Sequence, residues 1–387
     1  MPRILFVAMP GSVHSARWIS HLRDTEFDVQ LFPCHAAGNH PLLAGVRVHF
    51  GSLLIRGSLF LIGKLAELDR RRSGRRRRVP SCFKRAFWLA WTIRLVKPDI
   101  VHSLEFQCAG YLVTEAKKRL GSRMPPWIAT IWGSDIYLFG RLRSHTARIK
   151  ELLQACDYYS CECERDVILA RQFGFSGRVL PVLPNAGGLD VPEEVALQAR
   201  ERASTRKLIA IKGYQHWAGR ALTALRAVEL CADALRDYRI VVFSANADVE
   251  IAVELLAQST GLAVEVVPPS SHEDMLALFA RSRVFVGLSI SDGISTSMVE
   301  AMALGAFPIQ SCTSCADEWL TDGVTGIIVP TEDAKAVADA IRVAASNDKL
   351  VDEAQITNAQ VAASRLNPER IREQVLATYR EIIAARM

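Results

Sequence analysis

With 387 residues the chain exceeds one ordinary hydrophobic core, so two domains of similar size are expected. Half of the residues are hydrophobic and 23% charged, a balance that suits buried parallel strands, while no apolar run reaches the ~18 to 20 residues of a membrane-spanning helix. The net charge of +6 hides an asymmetry: residues 1–190 hold 28 Lys and Arg against 15 Asp and Glu, and the rest hold 19 against 26.

The opening, MPRILFVAMPGS, reads as a buried first strand rather than a secretory leader, because Pro10-Gly11 ends the apolar run after a few residues. A cytoplasmic protein is therefore expected. Beyond the strand, Gly11, His14 and Arg17 form a loop-to-helix start able to approach phosphate or acceptor groups; it is not a dinucleotide fingerprint, since G-x-G-x-x-G is absent. Further short apolar runs at 27–32, 46–50, 100–102, 127–132, 158–161 and 179–183 alternate with helical spacing at 14–24 and 107–120, which argues a doubly wound parallel sheet. Glu105, just past the strand at 100–102, is a candidate lining residue for a cleft.

Much of the basic excess sits in one run, Arg70-Arg71-Arg72 and Arg75-Arg76-Arg77-Arg78. After Pro80, Phe83, Phe87, Trp91 and Leu95 recur at helical spacing beside Trp88, flanked by Lys84, Arg85, Arg94 and Lys97. The patch is either an interfacial helix with its arginines on anionic lipid, or a core helix beside a solvated loop. No other feature points to a nucleic-acid partner.

A linker is expected over 191–206, between an N-terminal domain at 1–190 and a C-terminal domain at 207–367; Gly187-Gly188 and Pro192 break structure there and Asn185 precedes the turn. The second half repeats the strand-helix scheme with apolar runs at 208–212, 240–244, 264–267, 284–288, 307–310 and 327–329, and helical patterns at 219–235, 247–259, 272–281, 297–304 and 333–346. A last helix at 369–385, within the segment 368–387, has no strand to follow. Two such domains would face each other across a cleft, with ligands beyond the carboxyl ends of the strands.

One stretch carries most of the functional information: VFVGLSISDGISTSMVEAMALGAFPIQ, from Val284 to Gln310. A buried strand, a short polar loop and a helix start would place backbone N–H groups and two acids, Asp292 and Glu300, on one side of the sheet. Ser297 and Glu300 also fit a capping box, and Asp292-Gly293 alone is a turn signal. Neither of these accounts for both acids. The pattern Asp292, Glu300, Ala301, Met302, Ala303, Gly305, Pro308 resembles the signature of the retaining family 4 glycosyltransferases of the GT-B fold, whose two acids stand eight positions apart. The family's first acid is usually Glu, so Asp292 shortens the reach by one methylene.

The resemblance implies an α/β GT-B architecture of two Rossmann-like domains, with the terminal helix crossing back to the first. It also implies a nucleotide-diphosphate sugar as co-substrate, transfer with retention, and no bound metal. Asp292 would hold the sugar and Glu300 the ribose, while Gly293, Ile294, Ser295, Thr296 and Ser297 would present N–H groups to phosphates and sugar. The family places basic residues after the first strand of the second domain. Here Lys212, Gly213 and Arg220 stand nearby, so Lys212 and Arg220 are the candidates for the diphosphate charges. Where relatives carry a His-Gly-x-Asp pattern, this chain has Trp132, Gly133 and Asp135. A catalytic role is expected for Asp292 and Asp135, and acceptor contacts for Trp132, Gly133, His14, Arg17 and Glu105.

Nine cysteines include one C-x-x-C, Cys312 to Cys315, without a second pair at zinc spacing; all are expected to be reduced core or near-core thiols. The expected function is glycosyl transfer in bacterial surface polysaccharide or glycolipid assembly, on a glycan or lipid-linked acceptor, with a peripheral position at the inner face of the plasma membrane. A nucleotide-sugar epimerase, and a degenerate GT-B protein that binds without turnover, are the alternatives. A nicotinamide oxidoreductase is disfavoured by the missing glycine fingerprint.

Overall fold

The computed structural model describes residues 1–49, 81–185 and 187–385, with backbone alone for 81–84. The arginine run at 70–78, Phe50 and Phe83 as a packing residue therefore lie outside what is described.

The first half forms a seven-stranded sheet from β1 (Arg3–Ala8), β2 (Asp28–Pro33), β3 (Arg47–Val48), β4 (Ile100–Leu104), β5 (Trp127–Thr130), β6 (Tyr158–Ser160) and β7 (Arg178–Val179), in the order β3-β2-β1-β4-β5-β6-β7. The second forms a six-stranded sheet from β8 (Leu208–Lys212), β9 (Arg239–Phe243), β10 (Ala263–Val266), β11 (Val284–Gly287), β12 (Phe307–Ser311) and β13 (Ile327–Val329), in the order β10-β9-β8-β11-β12-β13. Every pairing is parallel. β1, β4 and β5 in one sheet and β11 and β12 in the other are covered on both faces, which is why they read as continuous apolar runs. In both sheets the strand order reverses beside the first strand, so crevices for ligands open at the carboxyl ends of β1, β4, β8 and β11.

The helix Pro368–Ala384 returns to the first sheet. Its buried residues Ile371, Val375, Tyr379 and Ile382 share a core with Ile4, Phe6, Trp18 and Leu31. The hydroxyl of Tyr379 lies 3.1 Å from Trp18 Nε1 and 2.6 Å from His102 Nδ1, and His102 Nε2 lies 2.6 Å from Thr130 Oγ1. Burial lowers the His102 pKa to about 3, so the ring is neutral and both nitrogens are satisfied.

Several elements differ from expectation. The helical reading at 107–120 splits into a wide turn, Phe106–Gly110, and a helix, Tyr111–Leu120. The turn begins at Glu105, which takes φ 79°. An additional helix, Asp348–Arg365, had no clear sequence signal because its buried contacts come from Val351, Ala354, Asn358 and Ala362 rather than a broad apolar stripe. The helix Ser81–Val96 buries Ala86, Leu89, Ala90 and Ile93 while leaving Phe87, Trp91 and Leu95 exposed. Cys108 and Cys312 are exposed thiols rather than core residues.

Candidate functional site

The loop after β11 is built to lie flat against the other domain. Ser289 N donates to Ser311 Oγ, and the Ser289 hydroxyl bridges within the turn to Ser291. Ser291 meets Ser134 of the first domain, hydroxyl to hydroxyl at 2.9 Å. Gly133, at φ +85°, comes so near Gly293 that an added Cβ would fall 2.0 Å from the Gly293 nitrogen. Only glycine permits that approach. Arg165 of the first domain donates to the carbonyls of Asp292 (2.8 Å) and Thr313 (3.1 Å), while stacking on the Tyr137 ring. Thus the opposite domain grips the acidic loop at the Asp292 carbonyl and the Ser291 hydroxyl rather than at the Asp292 carboxylate, which accepts from Gly293 N at 3.0 Å.

The next helix, Thr296–Ala303, starts without a side-chain cap at Ser295, whose buried hydroxyl has no partner among the described residues. The capping-box alternative for Ser297 and Glu300 is therefore not what forms. Instead Glu300 is buried, accepts from His272 Nε2 at 2.8 Å, and lies 4.0 Å from the Arg17 guanidinium of the first domain. His14 stands over the same crevice with its ring 5.5 Å from that of Trp132. Its pKa is lowered, first by burial and then by Arg17 and Lys212, against opposing contributions from Asp292 and Glu300. One imidazole thus senses a cation from each side of the cleft and both acids of the second domain, with burial the largest influence in favour of its neutral form.

Beneath the loop sits Glu162. It accepts from Asn185 N at 2.8 Å and from Ile294 N, and its carboxyl abuts Gly293. Burial, with Asp292 nearby, raises its pKa to about 8, which makes it a neutral acid at physiological pH. A small cavity lined by Glu162, Pro184, Ile294, Thr296 and Glu300 runs along this seam.

Comparison with known proteins settles the family. Residues 199–361 match the model described as glycosyl transferases group 1, and residues 3–161 match that described as glycosyl transferase 4-like. The chain belongs to the group 1 glycosyltransferases. Among solved structures, this glycosyltransferase is similar to sucrose-phosphate synthase from Thermosynechococcus elongatus at 15% identity, with all of both chains covered and a TM-score of 0.71. It is also similar to HepE from Anabaena in complex with UDP and glucose, at 14% identity, 98% and 100% coverage and a TM-score of 0.69. A trehalose 6-phosphate synthase from Burkholderia multivorans is similar at 13% identity, with all of both chains covered and a TM-score of 0.70. These likenesses establish the GT-B fold. No curated protein sequence matches the chain.

Within this glycosyltransferase fold the expected site residues separate into two groups. Asp292, Glu300, the 293–297 loop, His14, Arg17, Trp132 and Gly133 come together at the seam, with Lys212 close enough to influence His14. Others are placed differently. Asp135 does not face the crevice: it is buried, accepting from the backbone N–H of Phe106 (2.6 Å) and Trp132 (2.8 Å), with burial lifting its pKa to about 6. Its geometry ties two strand-end loops together rather than presenting a carboxylate to substrate. Glu105 likewise caps its own turn through Cys108 N, and burial with the Asp135 charge pushes its pKa well up. Arg220 pairs with Glu332 at 2.7 Å and donates to the carbonyls of His216, Ala218 and Gly219, so it organises its loop instead of standing as a free phosphate ligand. Gly213 allows β8 and β9 to close together at Phe243 and Ala245, and Gly11 packs under Gly38.

Glu162, Arg165 and His272 were not legible in the sequence. Each acts on the acidic loop from a distant stretch of chain, and no local spacing announces that. Asn185, expected only to precede a turn, braces this region by donating to Ile131 O at 2.8 Å as well as to Glu162.

Proposed function

We propose that this glycosyltransferase moves a sugar from a nucleotide-diphosphate donor to an acceptor hydroxyl with retention of anomeric configuration. The observation that carries the reading is the approach of Glu300 to Arg17 across the domain seam, with Asp292 and Lys212 within electrostatic reach of the same His14. The Glu300 carboxylate accepts from ribose hydroxyls; Asp292 holds sugar hydroxyls. The uncapped helix start at Thr296 and the Lys212 ammonium stabilise the departing diphosphate. Departure and attack occur on one face, and a β-phosphate oxygen takes the acceptor proton.

Trp132 supplies a stacking face where relatives carry an imidazole, and the neutral His14 packed on it supplies the imidazole instead. Because HepE was solved with UDP and glucose, UDP-hexoses are the first donors to try. The acceptor reading, a glycan or lipid-linked sugar, is supported by the basic first domain and by the exposed Phe87, Trp91 and Leu95, which suit a membrane surface.

The test is a thermal-shift panel of nucleotide sugars on wild type and Glu300→Ala. One donor should stabilise the wild type, by about 2.7 kcal/mol at roughly a hundred times its Kd. The variant should lose that gain. A panel with no stabilising donor, or equal stabilisation of both proteins, would refute the site.

A further inference from the structure

Two thiols from opposite domains meet under the acidic loop, and the transfer chemistry uses neither. Cys163 immediately precedes the helix Glu164–Gln172, between Glu162, which braces Gly293, and Arg165, which grips Asp292. Cys315 follows β12 in a left-handed turn at φ 45°. Their sulfurs are 2.8 Å apart, with the residues 0% and 2% exposed. The pair joins positions 152 residues apart in sequence and belongs to both walls of the seam.

We propose that Cys163 and Cys315 are a disulfide-forming site that fastens the two domains together and stops donor exchange. The consequence for exchange rests on the donor-binding reading above; the bond itself does not. The co-reactant is a low-molecular-weight disulfide. When the domains part, one cysteine thiolate attacks it, forming a mixed disulfide and releasing one small thiol. As the domains meet again, the second cysteine thiolate attacks the protein sulfur of that mixed disulfide and expels the second small thiol. The two protein thiols are oxidised by two electrons, the small disulfide is reduced, and the two cysteine protons end on the two released thiols. Burial explains why the first step requires opening, because thiols enclosed in protein are unreactive.

A metal is the rival use of this cluster, since Glu318 completes a three-ligand group with the two thiols. The geometry disfavours it. Two thiolates on one tetrahedral zinc stand about 3.8 Å apart, and both oxygens of Glu318 are engaged by the N–H groups of Glu164 and Arg165 at 3.0 and 3.1 Å. A second rival is a bond between Cys315 and the exposed Cys312.

The experiment incubates the full chain with oxidised glutathione, traps remaining thiols, and maps peptides without reduction. A cross-linked peptide pair containing Cys163 and Cys315 is expected. Exchange of a fluorescent UDP analogue should be lost in the oxidised protein and return on reduction. Cys163→Ser and Cys315→Ser, checked by melting to be folded, should each be insensitive to the oxidant, whereas Cys312→Ser and Cys108→Ser should remain sensitive. A Cys312–Cys315 bond, no bond at all, zinc found on the purified protein by native mass spectrometry, or undiminished exchange in cross-linked protein would each overturn the proposal. Should reduced protein bind no UDP analogue, the donor reading fails, and the peptide map still decides whether the bond forms.

Discussion

Glu162 has no room for a charge. Its carboxyl is buried, receives two backbone N–H groups, and lies beside the loop that carries Asp292; the outcome is a proton held up to about pH 8. Below that pH Glu162 is uncharged beside the Asp292 carboxylate. Above it a second negative charge develops next to the first, in a region of low dielectric where such repulsion is strong. Donor affinity, measured by calorimetry with whichever nucleotide sugar the panel selects, should therefore fall as pH rises through about 8. Glu162→Gln keeps the shape and removes the ionisation, so its profile should stay level there. A limb that persists unchanged in the variant would assign the loss to another group. At this scale the sequence was only partly informative. Asp292 and Glu300 could be found because their separation, eight positions across a turn and into a helix, is a local pattern. Asp135 and Glu105 were misjudged for the complementary reason: a carboxylate at a strand end can point outward to ligand or inward to backbone N–H groups, and nothing in neighbouring residues decides between them.

Among the elements, the terminal helix Pro368–Ala384 depends on one buried polar chain. Trp18 donates to the Tyr379 hydroxyl, which donates to His102, whose other nitrogen serves Thr130. Removing the hydroxyl with Tyr379→Phe strands Trp18 Nε1 and His102 Nδ1 together and should cost roughly 1 to 3 kcal/mol in urea unfolding. The same chain makes the protein acid-sensitive. The His102 pKa is lowered in the fold, so its contribution is fully present above the ordinary histidine value of 6.5 and is lost as pH falls toward 3. Between pH 6.5 and 5 this alone should remove about 2 kcal/mol; a flat unfolding free energy over that range would contradict the buried neutral ring. Elements of this kind were legible to different degrees. The thirteen strands among the described residues each fall on an expected apolar run, most plainly the central β1, β4, β5, β11 and β12, which helices cover on both faces. The helix Asp348–Arg365 did not, since small residues such as Ala354 and Ala362 bury it without marking an amphipathic stripe.

For the molecule as a whole, the basic excess and one exposed aromatic helix face fall on the same half. The first domain carries the basic excess, and the helix Ser81–Val96 turns Phe87 (54% exposed), Trp91 (40%) and Leu95 (61%) outward beside the exposed Arg94 and Lys97. Buried Leu89 and Ile93 hold the opposite face in the core, so the aromatic face is an additional surface that folding does not require. Among the described residues no helix is long and apolar enough to cross a membrane. A surface contact, by contrast, needs only a shallow apolar face with cations around it, each Lys or Arg adding about 1 kcal/mol on anionic lipid. Phe87→Ser with Trp91→Ser should lower the melting temperature only modestly, because both side chains are partly solvent-exposed and lose only their edge contacts with Trp88. The same pair should abolish co-sedimentation of the wild type with vesicles rich in phosphatidylserine. Raising salt should weaken wild-type binding, since the electrostatic share is screened while the apolar share is not. If wild-type protein stays in the supernatant with every vesicle composition, the outward face does not serve a membrane, and the basic half of the molecule must be explained through the acceptor's own charge.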